Sequence, residues 1–593
     1  MPNLLAFPFE AALLLRRRRA MVAELAQRPA LTEVRVALLG GSTTSSVKDF
    51  LELFLLDSGL RPAFYESEYG KYEEDVLVDD TALRAFAPHV AIVYTTWVNA
   101  RIPSSFASDE VVDAARASEL ARFEAIWAGL GELDCTIIQN NFDEPTDRGN
   151  GHLDATLASG ASHFLRGLNL ELARAARRTP RLVINDMAYL SALIGLEQWH
   201  DRGYWFSYKL AVSPVATITV AHHLAAIVRA IFGRTKKCLI LDLDNTLWGG
   251  VIGDDGLGGI KLGKETPEGE AFTAFQAYCL ALKQRGILLA VCSKNEPVRA
   301  QEGFTHPDSV LSPGDFAAFK AGWGPKHEAI VEIAHELNLG LDSFVFVDDN
   351  PAERELVRSQ LPMVAVPEVG DDPARYVELL DRQLYFEPLG ISGDDRKRTE
   401  MYASNVQRNL ARATHATYGD FLDSLEMKAE IAQFSATYID RIAQLTNKTN
   451  QFNLTTRRCT VGEIEAMRGD ANAVTLYGRL ADRFGDNGLV TVVAGHGERG
   501  ALVVDLWLMS CRVLKRDLEH AMLDALVAAA LERGFNAVHG RYLRTAKNAM
   551  VADLYARLGF EQTRHDDDGS EWSLRLDAPY TLRNTHIKDI TRG

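Results

Sequence analysis

The sequence has few cysteines, and their spacing matches no known class of structural site. Six cysteines among 593 residues show neither paired zinc-ligand spacing nor the density of a disulfide-stabilised secreted domain. A secretory signal is also lacking, because the apolar residues of the first segment precede the basic run at residues 16–19. The apolar stretch at residues 211–232 contains proline, histidine and arginine, which predicts a core helix rather than a membrane span. These absences predict a cytoplasmic protein with free thiols and no membrane association.

Positive charge is also scarce. Lysine and arginine total 64 against 80 acidic residues, which gives a formal net charge of −16. This balance argues against a nucleic-acid partner, since such proteins normally carry a basic patch. The hydrophobic fraction of 47% and the charged fraction of 24% are typical of globular proteins. A chain of this length predicts about three or four domains.

The most informative segment is LDLDNTLWGG at residues 241–250. It follows the apolar run KCLIL, which predicts a buried parallel strand, and parallel sheets place their chemistry at the carboxyl ends of such strands. Asp242 and Asp244 would therefore emerge together and repel each other unless a cation neutralises them or one carries a proton. Magnesium is the expected ion because it takes hard oxygen ligands and tolerates phosphate as a co-ligand. Two solvated aspartates at a strand end are the alternative.

Polar residues follow two further predicted strands, at residues 287–291 and 343–347, and open an amphipathic helix at residues 327–337. Hydroxyls and exposed backbone donors suit phosphoryl oxygens, and a cation can face the transferring phosphate. The pattern therefore favours phosphoryl transfer over solvated aspartates. The polar residues concerned are Ser293, Lys294, Asn295, Lys326, Asp348 and Asp349.

These segments resemble, in order across residues 236–385, the four motifs of the haloacid dehalogenase (HAD) superfamily of phosphotransferases. The resemblance implies that Asp242 attacks phosphorus and that Asp244 protonates the leaving oxygen and then activates water. Lys326 would offset the phosphoryl charge. The implied phosphate-binding residues are Thr246, Ser293, Lys294 and Asn295. The implied magnesium ligands are Asp242, Asp244 through its backbone carbonyl, Asp348 and Asp349.

A glycine-rich stretch at residues 248–256 follows the first motif. It predicts a β-hairpin flap over the site. The sequence between Thr246 and Ser293 offers no separate domain-sized insertion, so the HAD core is expected to carry only a minimal cap. A minimal cap suits a substrate that is large or that a neighbouring domain presents.

Residues 1–235 predict a second doubly wound α/β domain, with strands at residues 34–39, 90–94, 135–139 and 182–185. The domain resembles the SGNH hydrolases, in which Ser42, after the first strand, would be the nucleophile. That family expects an Asp-x-x-His pair, whereas this sequence has Trp-His-Asp at residues 199–201, so the base for Ser42 stays open. We favour a structural or docking role over hydrolysis here. Ser42 could instead cap a helix.

Residues 386–425 predict a linker segment, and residues 426–593 predict an α+β domain that resembles the GNAT acyltransferases. The resemblance implies that Asn548 orients a pantetheine arm and that Tyr555 protonates a departing thiol. The polar run TNQFNLTTRR, with Asn453 and Arg457, suits a hydroxylated substrate or a phosphate, although such runs are usually surface loops.

The turn at residues 512–517 contains no glycine. Lys515 and Asp517 stand where close approach to a coenzyme A pyrophosphate would need glycine, which favours a protein-borne pantetheine arm over free coenzyme A. Asp517 is expected to cap the helix that runs to Arg533. Cys511 is a second candidate nucleophile, with Arg512 as an anion-binding neighbour, because an adjacent cation and a helix N-terminus lower a thiol pKa. A small buried apolar role for Cys511 is the alternative.

An α/β chain of three domains, SGNH-like, HAD-like and GNAT-like, with the motifs VCSKN, FVDDNPAERE, NKTNQFNLTTRR, RFGDNGLV, LWLMSCR and TAKNAM, resembles the FkbH-like family of polyketide pathways. The resemblance implies a magnesium-dependent glyceryl transferase and phosphatase. Its substrate would be a phosphorylated three-carbon acid, 1,3-bisphosphoglycerate, and its product a glyceryl thioester on an acyl carrier protein. Two alternatives stay open: a magnesium phosphatase acting on a sugar or metabolite phosphate, and a non-catalytic assembly protein that binds carrier domains.

Overall fold

The protein is described by a computed structural model, and the chain divides into two compact units, Met1–Arg234 and Thr235–Gly593. Much of the predicted linker at residues 386–425, including residues 391–400, lies outside the described residues. The structure describes residues 4–390, 401, 402, 404, 408, 411, 412, 415, 417–449, 451–459, 461–510, 513–545, 548–566, 568–577 and 579–592.

The first unit is built on a five-stranded parallel sheet in the order β2-β1-β3-β4-β5. Its central strands are buried along most of their length, as expected when helices cover both faces of a parallel sheet. In this strand order the topology reverses between β1 and β3, which places a crevice at their carboxyl ends. The strands are Thr32–Gly40 (β1), Leu60–Glu66 (β2), Val90–Tyr94 (β3), Thr136–Asn140 (β4) and Leu182–Asn185 (β5).

β2 is the strand that the sequence pattern did not predict. It lies at the edge of the sheet, where Pro62 is tolerated because an edge strand leaves some backbone N–H groups unpaired. Because of this proline the segment did not read as a strand in the sequence, although it pairs with β1 over seven residue pairs.

In residues 4–234, ten α-helices surround this sheet. One of them, Pro214–Ile231, is long and apolar enough to cross a membrane, but 61% of its apolar window is buried inside the protein, as in a core helix. The helices are Ala11–Leu25, Ser45–Asp57, Glu74–Leu77, Thr81–Phe86, Asp109–Gly131, Ala161–Ala176, Met187–Ile194, Leu196–Trp199, Arg202–Tyr208 and Pro214–Ile231.

The second unit begins with a four-stranded parallel sheet in the order β8-β7-β6-β9. Three of these strands lie where apolar runs predicted them, and their carboxyl ends bring the polar motifs to one edge. The strands are Cys238–Leu241 (β6), Leu288–Ser293 (β7), Phe316–Ala321 (β8) and Phe344–Val347 (β9). The α-helices around this sheet are Ile252–Asp255, Pro267–Gln284, Pro297–Glu302, Lys326–Leu337, Pro351–Gln360 and Tyr376–Asp381.

The rest of the second unit contains an eight-stranded mixed sheet in the order β15-β16-β14-β13-β12-β11-β10-β17. Most neighbours are antiparallel, whereas β13 pairs with β14 and β10 pairs with β17 in parallel. The strands are Lys428–Ala432 (β10), Ala473–Asp482 (β11), Gly485–Glu498 (β12), Ala501–Met509 (β13), Ala537–Leu543 (β14), Glu561–Asp566 (β15), Gly569–Arg575 (β16) and Asp589–Arg592 (β17). The α-helices described here are Tyr418–Ser424, Ile439–Lys448, Val461–Gly469, Leu518–Glu532 and Leu554–Arg557.

Candidate active site

Three carboxylates converge at the carboxyl ends of β6 and β9. These strands are neighbours, with Leu241 paired to Val347, so the next residues, Asp242 and Asp348, emerge side by side. One oxygen from each of Asp242, Asp348 and Asp349 lies within 4.8 Å of the others. Asp242 is 6% exposed and Asp348 is fully buried. Such a cluster is stable only when cations or protons reduce its charge.

Lys326 supplies one of those cations. It lies in the first turn of the helix Lys326–Leu337 and is itself only 4% exposed. Its Nζ lies 3.0 Å from Asp242 Oδ1 and donates to Asp348 Oδ2 at 2.5 Å. One ammonium facing three carboxylates leaves the cluster negative, and all the available ligand atoms are hard oxygens. The donor set therefore fits a hard divalent cation.

Burial governs the protonation of this cluster. Desolvation raises the pKa of Asp242 from 3.8 to about 6; Lys326 opposes that rise and Asp348 adds to it. Desolvation likewise raises the pKa of Asp348 and of Asp349. Asp242 is nevertheless mostly ionised at neutral pH, as a nucleophile must be.

Asp244 has a different environment from Asp242, two residues away. Its Oδ1 accepts hydrogen bonds from Trp248 Nε1 at 2.9 Å and from the Ile252 amide at 3.0 Å, and its Oδ2 accepts from Asn295 Nδ2 at 2.8 Å. Its carboxylate is not part of the three-carboxylate cluster. The two aspartates therefore occupy the separate positions that a nucleophile and an acid–base group require. A metal contact from the backbone carbonyl of Asp244 stays a prediction.

The flap after β6 is not the predicted β-hairpin. A single antiparallel bridge joins Gly249 to Lys261, and the tip between them forms the short helix Ile252–Asp255. Asp255 Oδ2 accepts from the Val251 amide at 2.7 Å, and the Ile252 amide is bonded to Asp244. These backbone donors are satisfied by carboxylates instead of by a ladder partner, which explains why the pattern of glycines was misleading. We call residues 248–261 the flap.

The predicted phosphate-binding residues differ in their burial and in their hydrogen-bond partners. Thr246 is fully buried and its Oγ1 accepts from the Asp349 amide at 3.2 Å. A hydrogen bond from Ser293 lowers the pKa of Asp242, so the Ser293 hydroxyl lies beside the Asp242 carboxylate. Lys294 Nζ is paired with Glu353 Oε1 at 2.5 Å. Asn295 is only 3% exposed and contacts Asp244 and Ser293, so it lies between these two side chains.

Two residues that position this site were missed in the sequence. Arg354 is 5% exposed and donates to the backbone carbonyls of Asp348 at 2.8 Å and Asp349 at 2.6 Å, which fixes the loop after β9. Trp248 holds Asp244. Arg354 lies in the motif FVDDNPAERE and Trp248 lies in LDLDNTLWGG. Their closeness in sequence to the aspartates of these motifs could have identified them.

In the first unit, Ser42 follows β1 and is 2% exposed, and its hydroxyl makes no hydrogen bond within the described part of the chain. His200, the histidine of the Trp-His-Asp run, has partners on both ring nitrogens. Its Nδ1 donates to the Ala211 carbonyl at 2.8 Å, and its Nε2 lies 3.2 Å from Trp97 Nε1 and 3.3 Å from Asp143 Oδ2.

Asp143, which follows β4, thus provides the carboxylate that the Asp-x-x-His pattern lacks, but both ring nitrogens of His200 are occupied. The described part of the chain therefore shows no hydrogen bond that would activate Ser42. The helix after β1 begins at Ser45 with Thr44 as its N-cap, so the expectation that Ser42 caps this helix is wrong. A structural or docking role for this unit stays a prediction.

In the last domain, Cys511 and Arg512 lie outside the described residues, and their roles stay predictions. Asn453 is 1% exposed, whereas the Arg457 side chain is 42% exposed and lies 3.7 Å from Glu463. Tyr555 is fully buried, and burial raises the pKa of its hydroxyl; its role as an acid stays a prediction.

The expected role of Asn548 needs correction. It is fully buried and its side chain is committed to the protein: Nδ2 donates to the Asn453 carbonyl at 3.0 Å and to the Leu543 carbonyl at 2.8 Å, while Oδ1 accepts from the Thr545 amide at 2.8 Å. A side chain with these partners has no donor left to orient a pantetheine arm.

Lys515 and Asp517 occupy the backbone conformation that favours glycine, with φ of 61° and 65°. Asp517 stands at the N-cap position of the helix Leu518–Glu532, but its side chain makes no capping bond. Its Oδ2 accepts instead from the amides of Thr585 and His586, both at 2.7 Å. The predicted N-cap position is therefore confirmed, but the capping bond is absent because the carboxylate binds a later segment of the chain.

Comparison with known proteins gives a long match to a solved structure. The N-terminal part of BF1531 from Bacteroides fragilis, whose structure contains a phosphatase domain complexed with Mg, is 32% identical; the match covers 63% of this chain and 99% of that one, with a TM-score of 0.59. The FkbH N-terminal domain model matches residues 35–229. No curated protein sequence matches.

The chain is also similar to an acetyltransferase. The ribosomal-protein-S18-alanine N-acetyltransferase from Escherichia coli is 12% identical over 26% of this chain and 96% of that chain, with a TM-score of 0.21. The long match to BF1531 and the matched N-terminal domain decide the classification: the chain belongs to the FkbH-like family.

Proposed function

We propose that this protein is a magnesium-dependent phosphatase whose reaction is coupled to glyceryl transfer onto an acyl carrier protein. The observation that carries the proposal is the buried cluster of Asp242, Asp348 and Asp349 around Lys326, with Asp244 held separately. The Mg bound by the phosphatase structure from B. fragilis supports magnesium as the ion for this cluster. The bound ion would neutralise the carboxylates and polarise a phosphoryl oxygen.

The phosphatase half of the reaction follows from the residues at the strand ends. An Asp242 oxygen attacks phosphorus, and the bond between phosphorus and the substrate oxygen breaks as Asp244 delivers a proton to that oxygen. Asp244 then removes a proton from water, which attacks the aspartyl-phosphate and releases inorganic phosphate. Lys326 and the Ser293 hydroxyl lie beside Asp242, where they can stabilise the phosphoryl group.

The proposal for the transfer half of the reaction is supported by the family and by the sequence. A Cys511 thiolate would attack the carbonyl carbon of the acyl phosphate in 1,3-bisphosphoglycerate, releasing phosphate and forming a phosphoglyceryl thioester. After Asp242 has removed the second phosphate, the carrier thiol would take the glyceryl group and regenerate Cys511. The proposed setting is the cytoplasm of a polyketide-producing cell.

The test is to mix the full-length protein with Mg²⁺, 1,3-bisphosphoglycerate and a phosphopantetheinylated carrier protein, and to follow phosphate release and the intact mass of the carrier. A glyceryl adduct supports the proposal. Phosphate release without an adduct supports the alternative of a magnesium phosphatase on a metabolite phosphate. Neither product, with the substrate supplied, supports a non-catalytic assembly protein.

Two variants with matched controls separate the two halves. Asp242→Asn should abolish removal of the carbon-three phosphate, whereas Asp308→Asn, an exposed change in the same domain, should not. Cys511→Ala should abolish carrier loading, whereas Cys459→Ala, a buried free thiol of the last domain, should retain it. Phosphate release by Asp242→Asn at the parental rate would refute the assignment of the nucleophile.

A further inference from the structure

The parallel strands β13 and β14 pair only near their beginnings, at Leu502 with Val538 and Val503 with His539. Farther toward their carboxyl ends, the described residues of the two strands form no pairs with each other. Diverging strands leave backbone donors and acceptors that an extended, amide-bearing chain can pair with. Pantetheine is such a chain, and the gap between β13 and β14 is where its amides would find partners.

The protein fills that gap with its own backbone. On the β13 side, the Leu454 amide donates to the Trp507 carbonyl at 3.1 Å, and the Met509 amide donates to the Phe452 carbonyl at 3.0 Å. On the β14 side, the Leu543 amide donates to the Leu454 carbonyl at 2.8 Å. Residues 452–454 thus bridge the two strands as an extra strand, and we call them the inserted segment.

The inserted segment is as buried as the sheet around it. Phe452 is 4% exposed, Asn453 is 1% exposed and Leu454 is fully buried. Asn453 forms an antiparallel bridge with Leu508, and its carbonyl accepts the bond from Asn548 described above. Side-chain packing and backbone pairing therefore both hold the segment in the gap.

A separate observation concerns the pyrophosphate end of coenzyme A. A pyrophosphate would bind at the N-terminus of the helix Leu518–Glu532, where amides point outward. That end carries the Asp517 carboxylate, which is 7% exposed as a residue and is bonded to Thr585, His586 and His520. A second negative group at this position would be repelled.

We infer that the last domain takes neither coenzyme A nor a pantetheine arm into the gap between β13 and β14, because its own backbone occupies the gap and a carboxylate stands where a pyrophosphate would bind. This inference rests on the proposed transfer function, in which a carrier thiol is the acceptor.

Hydrogen exchange of the full-length protein tests the inference. The amides of Leu454, Met509 and Leu543 should be protected in the free protein, and their exchange rates should change by less than about twofold when coenzyme A, 4′-phosphopantetheine or the phosphopantetheinylated carrier is added. Calorimetry should show no binding of coenzyme A. The two small probes separate contacts of the pyrophosphate from contacts of the arm.

A change of more than about tenfold at these amides with either the arm or the carrier would show that the inserted segment moves aside, and would overturn the inference. Binding of coenzyme A by calorimetry would do the same. Exchange is read without turnover, so a protein that fails to load the carrier but keeps these amides unchanged refutes the proposed function and not the filling of the gap. Asn548→Ala serves as a positive control. Removing the hydrogen bonds from Asn548 to the Asn453 and Leu543 carbonyls should speed exchange at Leu454 and Leu543.

Discussion

Replacing the proposed nucleophile should make the metal-free protein more stable. Asp242 is buried beside two other carboxylates, and Lys326 is the cation that the described residues place against it. Asp242→Asn keeps the shape of the side chain and removes one of three crowded negative charges. We therefore expect Asp242→Asn to abolish phosphatase activity while raising the free energy of unfolding in the presence of a chelator.

The size of this effect follows from the pKa of Asp242. Its value rises from 3.8 in the unfolded chain to about 6 in the folded protein, and two pKa units correspond to about 3 kcal/mol. Between these two pKa values the folded protein binds a proton that the unfolded chain has released, so stability falls as the pH rises through this window. The gain of Asp242→Asn should reach about 3 kcal/mol above about pH 7 and vanish near about pH 4.

Urea denaturation of the parent and the variant, followed at both pH values with EDTA and again with saturating Mg²⁺, measures this difference. Magnesium should reverse the order, because the parent keeps the ligand that the variant lacks and a ligand stabilises the state that binds it. An Asp242→Asn variant that is no more stable than the parent in EDTA at neutral pH would refute the reasoning. Asp308→Asn provides the control for charge removal away from the cluster.

Four further outcomes are expected. Lys326→Met should lower the rate of phosphate release about 10²–10³-fold. It should also lower the free energy of unfolding of the metal-free protein by about 3–5 kcal/mol in denaturation, because Asp242 loses its cation. Unchanged stability would contradict the ion pairing. Asn295→Ala should lower kcat about 10–100-fold by releasing one oxygen of Asp244, with Mg²⁺ affinity unchanged by calorimetry. Lowering the pH from about 7 to about 5 should weaken Mg²⁺ binding about tenfold, since Asp242 must lose its proton. Leu454→Ala should destabilise the last domain by about 2–5 kcal/mol, whereas the exposed Leu531→Ala should have little effect; equal losses would contradict the packing of the inserted segment.

The parallel sheets were predictable because their strands are continuous apolar runs. β6, β7 and β9 carry their polar residues directly at the strand ends, so sequence order alone brought Asp242, Ser293 and Asp348 to one edge. The edge strand β2 was missed because Pro62 interrupts its pattern. The edge strand β8 was also missed, whereas the edge strands β5 and β9 were predicted, so local sequence identified strands by their apolar runs and not by their position in the sheet.

The contacts that correct the predictions join residues far apart in the chain. Asp143 and His200 are 57 positions apart, and the inserted segment pairs with strands whose residues follow it by more than 50 positions. In the sequence, Phe452 to Leu454 lie within a run of amides and hydroxyls that is typical of a surface loop. The burial of that run depends on the divergence of β13 and β14, which no local pattern encodes.

The flap contributes two of the three hydrogen bonds that hold the Asp244 carboxylate, through Trp248 and the Ile252 amide. A flap that swings outward to admit a bulky substrate must break these bonds and release the acid from its working orientation. If the flap opened in this way, substrate access and proton delivery by Asp244 would exclude each other in the cycle. An aspartyl-phosphate formed under a closed flap would wait for water in a fixed order of events, and slower flap closure would slow turnover without altering the chemistry at phosphorus.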